Sequence, residues 1–196
     1  MARSKRTSPS KIYQLKITLR GSKPPIWRRI LVPGRSTLPD LNLMIQAAMG
    51  WGNCHLHSFT IDDVDYAMTD PDWDDWGSED ETGVRLDRVV PYAGVRFTFL
   101  YDFGDGWDHQ VVVEKILPPE PGVKYPVCIA GKRRCPPEDV GGIWGYGDFL
   151  AAIRDPNHEE HAEYLEWIGG SFDPEEFDVD AVNGLLSDYK ILDMGG

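Results

Sequence analysis

The chain has 196 residues, with 20 basic against 32 acidic side chains and a formal net charge of −12. Four of the basic side chains, Arg3, Lys5, Arg6 and Lys11, lie in residues 1–11, so the rest of the chain is more acidic still. An acidic surface repels phosphate backbones, which disfavours nucleic acid as a partner. No apolar run approaches the roughly 20 residues of a membrane-spanning helix. Three cysteines form an odd, sparse set typical of reduced thiols, so we expect a cytoplasmic protein without a membrane partner.

The first half of the chain predicts a hairpin, a helix and a strand. Residues 12–20 and 26–32 alternate apolar and polar side chains, and a turn at residues 21–25 separates them. Thr37 and Asp40 form an acidic version of a capping box, and apolar residues then recur at helical spacing until Gly50. Residues 55–62 alternate again, as in a strand. We expect Trp27 and Phe59 to be buried beneath the helix.

The second half begins with a further hairpin and then changes character. Residues 95–101 and 109–116 predict two strands. Prolines and glycines between Pro118 and Gly147 predict a long loop region. Asp155-Pro156 and Asp173-Pro174 each resemble a helix start, the first helix covering residues 157–168, and a short helix is expected at 180–189.

Together these elements predict an α+β protein. Its mixed sheet begins with a β-grasp-like order of hairpin, helix and strand, and a helical segment lies near the C-terminus. We expect residues 1–11 to be a disordered basic tail and residues 12–196 to form a single domain. Within that domain, residues 12–118 hold the sheet and one helix, and residues 119–196 are loop-rich and then helical.

The segment from Tyr101 to His109 holds the densest set of polar side chains. As a hairpin turn, its glycines would take positive φ angles and its aspartates would bond to backbone amides, while Trp107 folds back on the sheet. As a site, its carboxylates would bind a cation or a basic group and His109 would transfer a proton. Both interpretations remain open. The candidate binding or acid/base residues are Asp102, Asp105, Asp108, His109, Glu138 and Asp139.

A zinc site is a less favoured hypothesis. Its ligands would be Cys128 and Cys135, which are separated by six residues, together with His158 and His161. Structural zinc sites usually separate paired cysteines by two to four residues, so we predict no cofactor and keep zinc only as an alternative.

The acidic segment 70–81 carries two tryptophans, Trp73 and Trp76. Aromatic side chains are unexpected in a purely solvated loop, so they are candidates, with Trp107, for contact with a partner.

Several motifs together resemble one family. They are the segments 25–29, 49–51, 55–59, 101–109 and 135–146, and the run from Asp155 to His161 followed by Trp167. The chain resembles the plasmid open-reading-frame-three-like (plasmid ORF-3-like) family, also called passenger proteins of bacterial insertion elements. This resemblance implies no established biochemical activity. Relatives often place a cysteine where Val140 stands, which weakens the case for a metal site.

Three functions therefore compete. The first is a non-enzymatic binding module whose acidic surface and exposed aromatic side chains engage a basic protein segment. The second is a metal-assisted or acid/base hydrolytic enzyme built on the Asp102–His109 segment with Glu138 and Asp139. The third is an accessory DNA-binding protein of a mobile element, which would use the basic tail.

Overall fold

The structure is a computed structural model that describes residues 11–68 and 77–190. The strands of the described residues are β1 Ile12–Leu19, β2 Trp27–Pro33, β3 His57–Ile61, β4 Val64–Ala67, β5 Glu79–Asp80, β6 Arg96–Tyr101, β7 Trp107–Leu117 and β8 Val127–Lys132. The helices are α1 Leu38–Met49, α2 Leu86–Val89, α3 Gly142–Arg154, α4 His161–Trp167 and α5 Val179–Ser187.

The strands form one sheet in the order β5-β4-β3-β6-β7-β1-β2-β8. Each pair of neighbours is antiparallel except β4 and β5, which are parallel, so the sheet is mixed. The order β1-β2-α1-β3 confirms the predicted hairpin, helix and strand. β3 joins the sheet beside β6, because β7 occupies the edge of β1 that β2 leaves free. The predicted α+β class is confirmed.

Helix α1 begins and ends as its sequence predicts. The Thr37 side chain accepts a hydrogen bond from the Asp40 amide, the Asp40 side chain accepts one from the Thr37 amide, and Gly50 caps the C-terminus with a φ of 93°. Most of the helix is buried against the sheet, and its apolar side chains join those of β1, β6 and β7 in the core. Core burial of this kind stabilises a fold by about 25 cal/mol per Å² of apolar surface removed from water.

The expected position of Trp27 is wrong, whereas that of Phe59 is right. Phe59 is fully buried, but Trp27 is only half-buried, and the cationic groups of Lys16 and Arg29 each lie 5.2 Å from its ring centroid. Ile26 and Arg28 occupy the inner face of this strand instead. Because side chains alternate between the two faces, burial of Arg28 turns Trp27 outward.

The segment after residue 118 is more regular than the sequence predicts. The expected loop region contains β8, and α3 begins at Gly142 despite its glycines. Residues 155–160 form turns, so α4 begins only at His161, and Asp173-Pro174 introduces a turn rather than a helix. The last predicted helix is confirmed as α5. β4, β5 and α2 were not predicted at all.

None of the helices in the described residues has the length and apolar character needed to cross a bilayer.

Candidate functional site

Two segments that lie 36 residues apart in the chain meet at the turn between β6 and β7. The amide of Gly141 donates a hydrogen bond to Asp105 Oδ2 over 3.2 Å. Gly142 packs so closely on this turn that an added Cβ would lie 2.2 Å from the carbonyl oxygen of Asp105. The polar segment 101–109 and the segment 135–142 therefore form one region of the molecule.

The β6–β7 turn fixes the side chain of Asp102. This residue has a φ of 57°, and its Oδ1 accepts hydrogen bonds from the amides of Gly104 and Asp105 at 2.9 and 3.3 Å. The amide of Gly106, with a φ of 68°, donates to the Asp102 carbonyl. Only 10% of the Asp102 side chain is exposed, so its second oxygen, Oδ2, has a fixed direction.

That second oxygen faces a histidine and another carboxylate. His55 Nε2 lies 3.7 Å from Asp102 Oδ2 and 3.0 Å from Asp139 Oδ1. The atom Nε2 is buried, and it has no hydrogen bond of acceptable geometry. One potential ligand atom from each of His55, Asp102 and Asp139 lies within 4.8 Å of the other two. We call these three residues the cation cluster; the Asp139 side chain, 71% exposed, opens it to solvent.

Glu138 ties the segment that carries Asp139 to the rest of the site. Its Oε1 accepts a hydrogen bond from the Tyr101 hydroxyl at 2.5 Å, and its Oε2 accepts one from the Gly52 amide at 3.1 Å. The Tyr101 hydroxyl also accepts from the amide of Cys54. Burial and the adjacent Glu138 raise the pKa of Tyr101 far above its ordinary value, so the phenol keeps its proton and donates a hydrogen bond to Glu138.

Stacked rings lie beside the cation cluster, where Tyr101 contacts the ring of His55. Trp51 stacks on Tyr101 and on Trp107, with centroid separations of 5.1 and 5.8 Å, and meets the edge of His109 at 5.2 Å. The indole nitrogen of Trp51 donates to the carbonyl of Pro136, which joins this layer to the 135–142 segment. We call Trp51, Tyr101, Trp107 and His109 the aromatic base.

His109 is part of the aromatic base and not of the cation cluster. It is fully buried, and its Nδ1 lies 3.2 Å from the carbonyl oxygen of Phe99. Burial lowers the pKa of His109 to about 4, so the ring is neutral at ordinary pH.

The other residues predicted from this segment are dispersed. Asp105 accepts a hydrogen bond from the Gly141 amide. Asp108 lies on the face of the sheet opposite to Trp107 and His109, where Arg20 Nη1 approaches its Oδ2 to 3.0 Å. Trp107 is buried and so offers no surface to a partner. Trp73 and Trp76 lie outside the described residues.

Comparison with known proteins identifies the family. The family model for the plasmid pRiA4b ORF-3-like protein matches residues 11–181. The chain belongs to this family. It is 43% identical over 173 residues to the uncharacterized protein y4hQ of Sinorhizobium fredii, covering 88% of this chain and 86% of that protein.

A solved relative confirms the fold. The crystal structure of a protein of unknown function from Methanosarcina mazei Go1 is 38% identical and superposes with a TM-score of 0.78. The match covers 89% of this chain and 97% of that one. The ORF-3-like resemblance predicted from the motifs is confirmed by the family model and by the relative in Sinorhizobium fredii.

The residues proposed for a zinc site do not assemble. Within residues 11–68 and 77–190, the cation cluster is the one group of three or more metal-ligating side chains close enough to share an ion. Cys135 is buried against Arg28 and Met49, and Cys128 is buried with its thiol directed to the carbonyl of Ala130. His158 Nδ1 accepts from the Glu160 amide, and His161 Nδ1 contacts the carbonyl of Ala152.

Sequence reasoning missed His55, the centre of the cation cluster. The alternating pattern of residues 55–62 predicted a strand, whereas β3 begins only at His57 and leaves His55 in the preceding loop. A usable signal was present, because His55 lies within one of the motifs that carry the family resemblance. Of the predicted site residues, Asp102 and Asp139 belong to the cation cluster, and Glu138 lies beside it.

Proposed function

We propose that this protein binds a divalent transition-metal cation at His55, Asp102 and Asp139. The observation that carries the proposal is the buried Nε2 of His55, which lacks a hydrogen bond and faces two carboxylate oxygens. One ligand atom from each of the three side chains converges on the same point, and a metal ion would bind all three atoms.

The donor set suits a transition metal better than calcium. Imidazole nitrogen favours zinc and its first-row neighbours, while carboxylate oxygens accept zinc and manganese. In a tetrahedral zinc site with bonds of about 2.0–2.2 Å, ligand atoms lie about 3.3–3.6 Å apart. The separations of 3.0 and 3.7 Å from His55 Nε2 bracket this range.

Three protein ligands would leave the metal able to bind one more. Catalytic zinc sites have this composition, with water or substrate in the remaining position, whereas structural sites are closed by four protein ligands. The exposure of Asp139 gives solvent access from one side. We therefore favour a metal that acts on or holds a further molecule, which is the metal-assisted alternative among the functions predicted from the sequence.

Calorimetric titration of the chelator-treated protein with zinc chloride, and separately with manganese chloride, tests the proposal. We expect saturable binding of one ion per chain. Asp139→Asn and His55→Gln should each weaken binding at least ten-fold, because each removes a ligand. Matched controls are Asp148→Asn and His158→Gln, which change the same residue types on α3 and before α4. Equal affinity in the wild type and the two cluster variants, or no saturable binding, would contradict the proposal.

A binding module for a basic protein segment is the second candidate function. Trp144, in the first turn of α3, is 86% exposed, and Phe103 in the β6–β7 turn is 48% exposed. Exposed tryptophans are frequent anchors of protein interfaces. The net charge of −12 favours a basic partner.

Fluorescence titration with a lysine-rich peptide tests this candidate. Trp144→Ala should weaken binding at least five-fold, whereas Tyr92→Ala, which removes another exposed aromatic ring, should not. Equal binding by both variants would remove Trp144 as an anchor. The DNA-binding alternative depends on the basic tail, of which residues 1–10 lie outside the described residues.

A further inference from the structure

A concavity that does not include the residues of the cation cluster lies beside the 134–137 segment. It has a volume of about 350 Å³ and lies between the C-terminal end of α1, this segment and the chain leading into α5. Its walls are mainly apolar and include Met49, Pro136, Phe172, Phe177, Val182 and Leu185. Small-molecule sites typically begin at about 300 Å³ and combine apolar walls with a few polar groups. We call this concavity the α1–α5 groove.

Arg28 places a positive charge in the wall of this groove. The residue is only 3% exposed, and its guanidinium stacks on the Phe177 ring at 4.7 Å. Two arginines are buried among the described residues, and the other, Arg133, is paired with Glu175 at 2.7 Å. No carboxylate of the described residues lies within ion-pair distance of Arg28. Buried charges are normally paired, so this cation is an exception that requires an explanation.

The contacts of Arg28 compensate its charge only in part. Its Nε donates to the carbonyl of Ala48 in the last turn of α1, where the helix carries about half a negative charge. Its Nη1 donates to the carbonyls of Trp27 and Lys132, and its Nη2 donates to Cys135 Sγ. A guanidinium has five N–H groups, so one on Nη2 is left without an acceptor in the described residues.

The neighbouring groups do not supply the missing anion. Burial raises the pKa of the Cys135 thiol to about 11, so it is neutral. The two acidic side chains that line the groove already have other partners. Glu176 accepts a hydrogen bond from Arg134, and Asp178 caps the N-terminus of α5.

We infer that the α1–α5 groove binds a small amphiphilic monocarboxylate, with its carboxylate on Arg28 and its apolar chain along α5. A carboxylate would complete the hydrogen bonds of Nη2 and balance the buried charge, and arginine is the residue best suited to that contact. The apolar walls would remove the hydrocarbon chain from water. This site is separate from the cation cluster and does not depend on a bound metal.

Titration of the chelator-treated protein with octanoate, 1-octanol and octylamine tests the inference by calorimetry. The three probes share an apolar chain and differ in the charge of the head group. We expect octanoate to bind saturably and at least ten-fold more tightly than either of the others. Equal binding of octanol, or no saturable binding of octanoate, would overturn the inference.

Two substitutions locate the site. Leu185→Glu changes a groove residue that is 52% exposed, so the fold should persist while octanoate affinity falls at least ten-fold. Arg28→Lys retains the charge but loses the planar guanidinium, and should weaken the binding of octanoate more than that of octanol. Arg96→Gln, which removes an exposed cation on β6, is the matched control and should bind octanoate like the wild type. Unchanged octanoate affinity in Leu185→Glu would overturn the assignment to this groove, even if Arg28→Lys fails to fold.

Discussion

The aromatic base and the cation cluster adjoin at Tyr101 and Asp102, yet different interactions hold them in place. In the aromatic base, Trp51, Trp107 and His109 are almost completely buried, and the rings of Trp107 and His109 each contact the ring of Trp51. In the cation cluster, His55 and Asp139 are partly exposed, and the rigid member is Asp102, fixed by backbone amides of its turn.

This difference separates stability from ligand binding. Substitutions in the base or at its junction with the 135–142 segment remove packing or buried hydrogen bonds, so they should lower the free energy of unfolding. Substitutions of exposed cluster residues should leave that free energy almost unchanged while affecting a bound cation.

The largest effect is expected at the junction of the two segments. Gly142→Ala places a Cβ where the Asp105 carbonyl oxygen lies and forces a side chain into a φ of 69°. The cost should be about 3–5 kcal/mol of unfolding free energy, measured by urea denaturation.

Gly147→Ala in the same helix is the matched control. A Cβ at Gly147 meets nothing within 4 Å, so alanine should stabilise the helix by up to about 1 kcal/mol. If both variants unfold at the same urea concentration, Gly142 of α3 does not pack closely against the β6–β7 turn.

The next largest effect concerns pH and His109. Because the folded state lowers the pKa of this histidine to about 4, only the unfolded state takes up its proton between about pH 6.5 and pH 4. Its contribution to stability is therefore complete above about pH 6.5 and is lost as pH falls toward 4.

His109→Gln removes this ionisation. Between pH 7 and pH 4.5 the wild type should lose about 2–3 kcal/mol more unfolding free energy than the variant. Urea denaturation of both proteins at the two pH values measures the difference. Equal losses would mean that folding does not lower the pKa of His109.

A smaller effect is expected for the hydroxyl that links the base to Glu138. Tyr101→Phe keeps the ring stacked on Trp51 but removes the hydrogen bonds to Glu138 and from the Cys54 amide. The loss should be about 1–2 kcal/mol, as is usual for a buried hydroxyl. Tyr92→Phe, at a ring that is 66% exposed, should change stability by less than about 0.5 kcal/mol. Equal melting temperatures for the two variants would contradict the role given to Tyr101.

The sequence predicted those elements whose local pattern agrees with their packing. Burial alternates along β6 and along most of β7, and α1 carries its own capping signals at Thr37 and Gly50. Helix α3 was missed because its glycines favour a loop when considered alone. In the fold, Gly142 and Gly145 permit contacts with the carbonyls of Asp105 and Val140 that no side chain would allow. Tertiary packing therefore overrides the local preference.

The candidate site was predicted only in part, because adjacency in the chain is not proximity in space. Asp108 and His109 are neighbours in sequence, but strand alternation sends one toward Arg20 and the other into the core. Asp102 and Asp139 were predicted as site residues, but the convergence of their segments depends on contacts between residues far apart. His55 completes the cluster from a third segment, where the alternating pattern predicted a strand and the structure has a loop.

The most direct test of the cation cluster is a zinc-loaded crystal structure of this protein, measured with anomalous scattering at the zinc absorption edge. We predict one strong peak per chain, about 2.0–2.2 Å from His55 Nε2 and from one carboxylate oxygen each of Asp102 and Asp139. A strong peak bound by other residues, such as the exposed Cys54, or an empty cluster at saturating zinc would contradict the proposal.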